Sequence, residues 1–318
     1  MKVVMTTMLE LIEEVRAMFP QVTFEAATDV TEQKIQVRDA DACIGWPAQE
    51  VFLAAERLRW VHTPGTGIDQ LPWLVPALTD SDVVLTNTRG HHSESMGDHV
   101  FGMILNLARP FTLLRDDQRR HRWSGGQSGK TVDLSSKNIG ILAMGDAGMA
   151  VARRAHGFGM NVYGVDKHPK TQAEKPREVR ELWKLDRLDD MLRLSDWFVV
   201  TAPLTSETRG MIDRRRLGLL KRGAYVIVVS RAHIIDEDAL IDGLHSGHIA
   251  GAGLDVTSQE LLPKDNPLWD MDNVILTPHC SASSPARYKG ARQVFKENLR
   301  RFVTGEPLMN ICDKRAGF

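Results

Sequence analysis

The chain has 318 residues, enough for about two domains, and its 42% hydrophobic content is ordinary for a protein with buried cores. A formal net charge of −1 argues against a general polyanion partner, so no nucleic-acid binding is expected. The three cysteines, Cys43, Cys280 and Cys312, have neither disulfide parity nor metal-ligand spacing, the first residues carry acids where a signal peptide is apolar, and no run is long enough to cross a membrane; a reduced, cytoplasmic protein without metal is expected.

Met1 to Thr6 reads as a strand and Leu9 to Phe19 as a helix. Val22 to Ala26, Ala42 to Ile44, Trp60 to Thr63 and Val83 to Thr86 read as further strands, with a helix at Val51 to Leu58. Alternating strands and helices predict a small parallel α/β domain. Asp98 to Arg122 has helical spacing, with Val100, Ile104, Leu107, Phe111 and Leu114 on one face. Ser95 and Asp98 resemble a capping box, and Pro110 predicts a kink. The basic run Arg119 to Arg122 ends that helix and reads as solvated surface.

The segment Asn138 to His168 then organises the chain. An apolar strand, Ile139 to Leu142, is followed by a turn with Gly145 and Gly148, a helix from Met149 to Phe158, and a second strand, Val162 to Val165, ending at Asp166. This is a βαβ unit with the dinucleotide-binding signature. Gly145 allows close backbone approach to a pyrophosphate, Gly148 allows helix–strand packing, and the helix N-terminus offers amides and a positive dipole end. Asp166 stands where an acid holds the adenosine ribose. Ala143 replaces the first glycine of the motif and accepts positive φ poorly.

Strands at Trp197 to Thr201, Ala224 to Val229, Gly251 to Val256 and Val274 to Leu276 extend this into a doubly wound sheet. Their carboxyl ends carry Pro203, Arg231, Asp255 and His279, with Glu260 five residues past Asp255. Reduction of an α-keto acid needs these residue types. Arginine grips a carboxylate or keto oxygen, histidine delivers a proton, and a neighbouring carboxylate orients the histidine. Ser284-Pro285 opens a last helix to about Val303. The tail beyond Gly305 is too short to stand alone and is expected to return to the first domain.

The stretches GILAMGDAGMAVARR, APLTSETRGMI, SRAHIIDEDAL, GAGLDVTSQELLP and PLWDMDNVILTPH together resemble the D-isomer-specific 2-hydroxyacid dehydrogenases, with a glyoxylate/hydroxypyruvate reductase-like character. The resemblance implies two doubly wound parallel-sheet domains, a Rossmann cofactor domain (99–285) and a smaller flavodoxin-like substrate domain (1–98 and 286–318), with an active-site cleft between them. It implies Arg231, Glu260 and His279 as catalytic residues. It implies substrate contacts from Gly65, Thr66, Gly67 and Ile68 with Arg231 and His279. Cofactor contacts are implied at Ser95, Met96, Gly145, Asp146, Ala147, Gly148, Asp166, Lys167, Ala202, Pro203, Thr208, Val229, Ser230 and Asp255. The implied cofactor is NAD, preferred over NADP, and the implied assembly is a homodimer through the cofactor domain. Departures surround the catalytic residues: Ala232-His233, Thr257-Ser258, Leu261 and Cys280 to Ser283 replace the usual neighbours. Cys280 reads as a small filler residue. The alternative is an NAD-sensing interaction protein of the corepressor type that shares the fold.

Overall fold

The computed structural model describes residues 1–123, 131–171 and 174–317. The chain divides into two compact units, Met1–His91 with Pro285–Phe318, and His92–Ser284.

The first unit carries β1 (Lys2–Met5), α1 (Ile12–Met18), β2 (Thr23–Ala26), α2 (Val30–Gln36), β3 (Ala42–Ile44), α3 (Gln49–Leu53), β4 (Trp60–His62), α4 (Leu71–Leu74), α5 (Pro76–Thr79) and β5 (Val84–Thr86). Its five strands are all parallel, in the order β2-β1-β3-β4-β5, the flavodoxin-like arrangement. Three helices escaped the sequence reading for physical reasons. Helix α2 buries no residue, so it shows no apolar stripe; it is started instead by the Asp29 carboxylate, which accepts the Glu32 amide at 2.9 Å. Helices α4 and α5 are single turns, each with proline at its start.

The second unit opens with α6 (Ser93–Ala108) and α7 (Phe111–Arg119). One kinked helix from Asp98 to Arg122 was expected; two separate helices are found. Pro110 has no amide and drives Arg109 into extended backbone, φ −126°, so the helix breaks rather than bends. Because α6 begins at Ser93, Ser95 and Asp98 lie inside it and form no capping box. Ser95 instead bonds Ser284 hydroxyl to hydroxyl at 2.7 Å, and Asp98 accepts Arg154 Nε at 2.9 Å.

β6 (Asn138–Leu142), α8 (Asp146–Gly157), β7 (Asn161–Asp166), β8 (Glu181–Lys184), α9 (Leu188–Leu194), β9 (Trp197–Val200), α10 (Arg214–Leu217), β10 (Ala224–Val228), α11 (Glu237–His245), β11 (Ile249–Leu254) and β12 (Val274–Leu276) complete the unit. The seven strands are parallel, ordered β12-β11-β10-β9-β6-β7-β8. Strand β8 was not expected; it is a four-residue edge strand burying only Leu182. Both sheet faces are covered. Phe198 and Val200 enter one core while Trp197 and Val199 enter the other, which is why these strands read as continuous apolar runs.

The chain returns through α12 (Pro285–Thr304), stopped at Gly305 with φ +76°. Phe295 and Leu299 of α12 are fully buried against Val3, Ile44 and Trp60 of the first sheet. Such burial stabilises by about 2 kcal/mol per side chain. The tail then pairs with β5 through the Cys312 amide and Leu85 carbonyl at 2.9 Å, and Lys314 donates to the Leu78 and Val83 carbonyls, each at 2.9 Å.

Candidate active site

In the seven-stranded sheet, β6 marks the switch point: β7 and β8 lie on one side, β9 to β12 on the other. Ligands of such sheets sit at the carboxyl ends of the strands there. The chain leaves β6 through Ala143 at φ +73°, a left-handed conformation that alanine resists. The surroundings hold it. The Ala143 amide donates to Val165, and the Thr201 hydroxyl lies 2.9 Å from the Leu142 carbonyl and 2.8 Å from that of Ala143.

Gly145 is the N-cap of α8, and no side chain caps that helix end. Its φ of −69° suits any residue, and the space beside its Cα is open, so what glycine contributes is clearance. A Cβ on Gly148 would fall 2.2 Å from the Ala143 carbonyl oxygen, so only hydrogen fits. The first-turn amides of Asp146, Ala147 and Gly148 have no acceptor within the helix. Asp166 ends β7 with its carboxylate fixed between the Met144 amide at 2.7 Å and the His168 amide at 2.9 Å. Each oxygen keeps further lone-pair capacity. An anion-binding helix end, clearance at Gly145 and an anchored acid opposite fit a dinucleotide. The Lys167 ammonium is engaged by Glu207 at 2.7 Å.

Strands β10, β11 and β12 are adjacent, and their ends carry the three ionisable groups. Neighbouring strands lie about 4.8 Å apart, so residues just past Val228, Leu254 and Leu276 converge. Arg231 follows β10, is half-buried, and donates from a guanidinium nitrogen to the Ser230 carbonyl at 2.8 Å. His279 follows β12 with φ +50°, its amide bonded to the Asp255 carbonyl at 2.8 Å. Its Nδ1 lies 2.6 Å from Glu260 Oε1. A carboxylate only accepts, so Nδ1 carries the proton and Nε2 is left for other partners. Glu260 sits on the loop after β11, which is tied down at Ser258. The Ser258 amide and hydroxyl both bond the Glu237 carboxylate of α11, at 2.7 and 2.6 Å. Asp255, Glu260 and His279 line one cavity of about 650 Å³, walled by Leu261, Leu262 and Trp269.

Asp255 is fully buried. Its Oδ1 accepts from the Thr277 hydroxyl at 2.6 Å and the Cys280 amide at 2.9 Å, and its Oδ2 accepts from the Ser281 amide at 2.9 Å. It therefore holds together the turn that bears His279. His99 of α6 joins this cluster, with Nε2 2.9 Å from the Thr277 hydroxyl and 3.6 Å from Asp255 Oδ1. His99 and Thr277 were not singled out from the sequence. They lie 178 positions apart, and no local pattern links them. Burial, then the Asp255 charge, pushes the Cys280 thiol above its ordinary pKa.

Met96, Ala202, Val229 and Ser230 are buried, the first three in the apolar cores. The Thr208 hydroxyl donates to the Pro203 carbonyl at 2.6 Å, shaping the loop after β9. In the first unit, Gly65 to Ile68 form the loop after β4. Thr88 bonds the carbonyls of Pro64 and Gly65, and Asn87 bonds that of Thr66 at 2.6 Å. The carbonyls are thus tied down, and the amides of Thr66, Gly67 and Ile68 take up no bond among the described residues.

Residues 101–281, more than half of the chain, match the family described as D-isomer specific 2-hydroxyacid dehydrogenase, NAD binding domain. A glyoxylate reductase of Korarchaeum cryptofilum is 34% identical over 286 residues, covering 88% of this chain and 84% of its own length. A D-3-phosphoglycerate dehydrogenase of Methanocaldococcus jannaschii is 32% identical over 91% of this chain, which spans only 55% of that protein. Among solved structures, a D-isomer specific 2-hydroxyacid dehydrogenase from Xanthobacter autotrophicus in complex with NADPH and MES is similar with a TM-score of 0.80 and 31% identity, covering 100% of this chain and 99% of that one. No helix among the described residues is long and apolar enough to cross a membrane. With five sequence motifs, a dinucleotide-type turn and a histidine–carboxylate pair at adjacent strand ends, the chain belongs to the D-isomer specific 2-hydroxyacid dehydrogenase family, the NAD(P)-dependent oxidoreductases of 2-hydroxy acids.

Proposed function

We propose that the protein reduces a small 2-keto acid to the D-2-hydroxy acid with NADH, glyoxylate or hydroxypyruvate being the favoured substrate. The observation that carries this reading is the 2.6 Å contact between His279 Nδ1 and Glu260, beside the strand end that bears Arg231. With Nδ1–H donated to Glu260, a protonated His279 presents Nε2–H to the keto oxygen. Arg231 grips the carboxylate and polarises the ketone through its forked donors. A bound nicotinamide supplies the hydride. His279 gives up its Nε2 proton as the keto oxygen gains charge, and Glu260 keeps the ring oriented throughout.

The cofactor preference rests on Asp166. A carboxylate fixed at the end of β7 accepts ribose hydroxyls and repels a 2′-phosphate. Lys167 is paired with Glu207, a surface ion pair that a 2′-phosphate would have to displace. A panel of 2-keto acids assayed with NADH and with NADPH tests both parts. No turnover on any keto acid would remove the substrate reading, and a higher kcat/KM with NADPH would remove the cofactor reading.

A homodimer through the cofactor domain is supported by α7, which leaves Phe111 56% and Leu114 38% exposed on one face. Such an apolar face is suited to a second copy of the same surface. Light scattering on the purified protein and on Phe111→Lys tests it; a monomeric wild type sinks it.

A further inference from the structure

His99, Asp255 and Cys280 come from three elements, the first turns of α6, the end of β11 and the turn after β12. Their ligand atoms, Nε2, a carboxylate oxygen and Sγ, all lie within 4.8 Å of one another. The N–O edge measures 3.6 Å. In a tetrahedral zinc site with bonds of about 2.0–2.1 Å, the edge between nitrogen and oxygen ligands is about 3.4 Å. The edge is therefore close to that of a preformed site, and the sulfur has only to turn inward.

The Thr277 hydroxyl bridges His99 Nε2 and Asp255 Oδ1, at 2.9 and 2.6 Å. It occupies the space between two of the ligands and would rotate away or serve as an oxygen neighbour of the ion. Asp255 is oriented by the Cys280 and Ser281 amides, which fix a ligand as outer partners do in built metal sites. Cys280 is only half-buried and His99 is 22% exposed, which gives an entry path.

We propose that His99, Asp255 and Cys280 bind one divalent cation of the zinc class. A nitrogen, oxygen and thiolate set selects zinc or cadmium over magnesium and calcium, which prefer oxygen alone. Three protein ligands leave one position for water. The site is no part of the reductase chemistry. Because Asp255 is among the cofactor contacts that the family resemblance implies, the bound ion is expected to oppose cofactor binding, and that consequence rests on the proposed function.

The test adds cadmium to the full-length protein without cofactor. Wild type should develop a thiolate-to-metal charge-transfer absorption saturating at one ion per chain. Cys280→Ser should lose the band, and His99→Gln should weaken binding by about tenfold or more. Both variants should retain reductase activity, which shows that they fold. Zinc should inhibit wild type reversibly, with chelator restoring activity, and should not inhibit Cys280→Ser. The proposal is overturned if wild type binds no stoichiometric ion, or if the band persists in Cys280→Ser. A second titration with saturating NADH separates the two readings: a band undiminished by NADH leaves the metal site standing and removes Asp255 from the cofactor contacts.

Discussion

Each of the two parallel sheets places a histidine at the carboxyl end of a strand, and the two histidines could hardly differ more. His62 ends β4 in the first unit and is fully buried, ringed by Trp60 and Phe295. Its Nδ1 meets the Thr86 hydroxyl at 2.8 Å, its Nε2 has no partner, and burial pushes its pKa down to about 3. His279 follows β12 in the second unit, with its side chain 42% exposed and bonded to Glu260. One histidine is a packing element held neutral; the other, bonded to a carboxylate, is the proposed proton donor. The same residue type at a comparable topological place acquires its role from what surrounds it: neighbouring strands and helix α12 for His62, the loop after β11 for His279.

The sharpest way to break this contrast is to remove each imidazole. His279→Asn keeps a polar side chain that tolerates positive φ. We expect kcat for keto-acid reduction to fall about 10³-fold, within the range for loss of a general acid, with urea stability nearly unchanged. Steady-state kinetics and urea melts check it. A variant that keeps more than a tenth of wild-type kcat would place the proton donor elsewhere.

For His62 the expected effect lies in stability, not rate. Its pKa falls from an ordinary 6.5 to about 3 in the folded chain, so between those values the unfolded chain binds a proton that the folded chain refuses. Stability is therefore fully present above pH 6.5 and is lost as the pH falls toward 3. From pH 7.5 to 4.5 the loss is about 3 kcal/mol from this group alone. His62→Leu should flatten that dependence by a similar amount. Urea melts of both proteins at the two pH values decide it, and parallel pH dependences would show that His62 is not the titrating group.

Next in size is Arg231→Lys, which keeps the charge and loses the planar fork. A fall of about thirtyfold in kcat/KM is expected, equivalent to about 2 kcal/mol. Activity near wild type would place Arg231 outside the substrate contacts.

What was legible in the sequence follows the same divide. The strands of the second unit show plainly because burial on both faces makes them continuous apolar runs, as at Trp197–Val200. The dinucleotide turn shows because its glycines, helix and acid are local. Helix α2 does not show, since it buries nothing, and the break at Pro110 was readable only as a kink because chain periodicity continues across it. The bond from His99 to Thr277 was invisible, because it is made between residues far apart in the chain. Arg231, Glu260 and His279 are proposed from motif order, whereas the anchoring of the Glu260 loop by Glu237 needed coordinates.

The smallest expected effect concerns backbone strain. The site-bearing loops of the second unit hold Ala143, Leu261 and His279 at positive φ, a cost tolerated where a site demands it. Alanine in the left-handed region costs about 1–2 kcal/mol. Ala143→Gly relieves that strain, but glycine gains unfolded-state freedom worth about 0.4–1 kcal/mol and loses a partly buried methyl contact. The strain term is the largest of the three, so a net stabilisation of about 0.5 kcal/mol is expected, with dinucleotide affinity retained because Gly145 and Gly148 are untouched. In the first unit the matching position is Asn310, at φ +55°, whose amide donates to the Asn87 and Arg89 carbonyls at 3.3 and 3.1 Å. Asparagine tolerates this conformation, so Asn310→Gly relieves little and forfeits both bonds; it should destabilise by about 1 kcal/mol. Urea melts of the two variants, with NADH titration of Ala143→Gly, give opposite signs if strain resides at the cofactor turn and packing governs the first unit. Destabilisation by both would mean that the Ala143 methyl contributes more than its backbone costs.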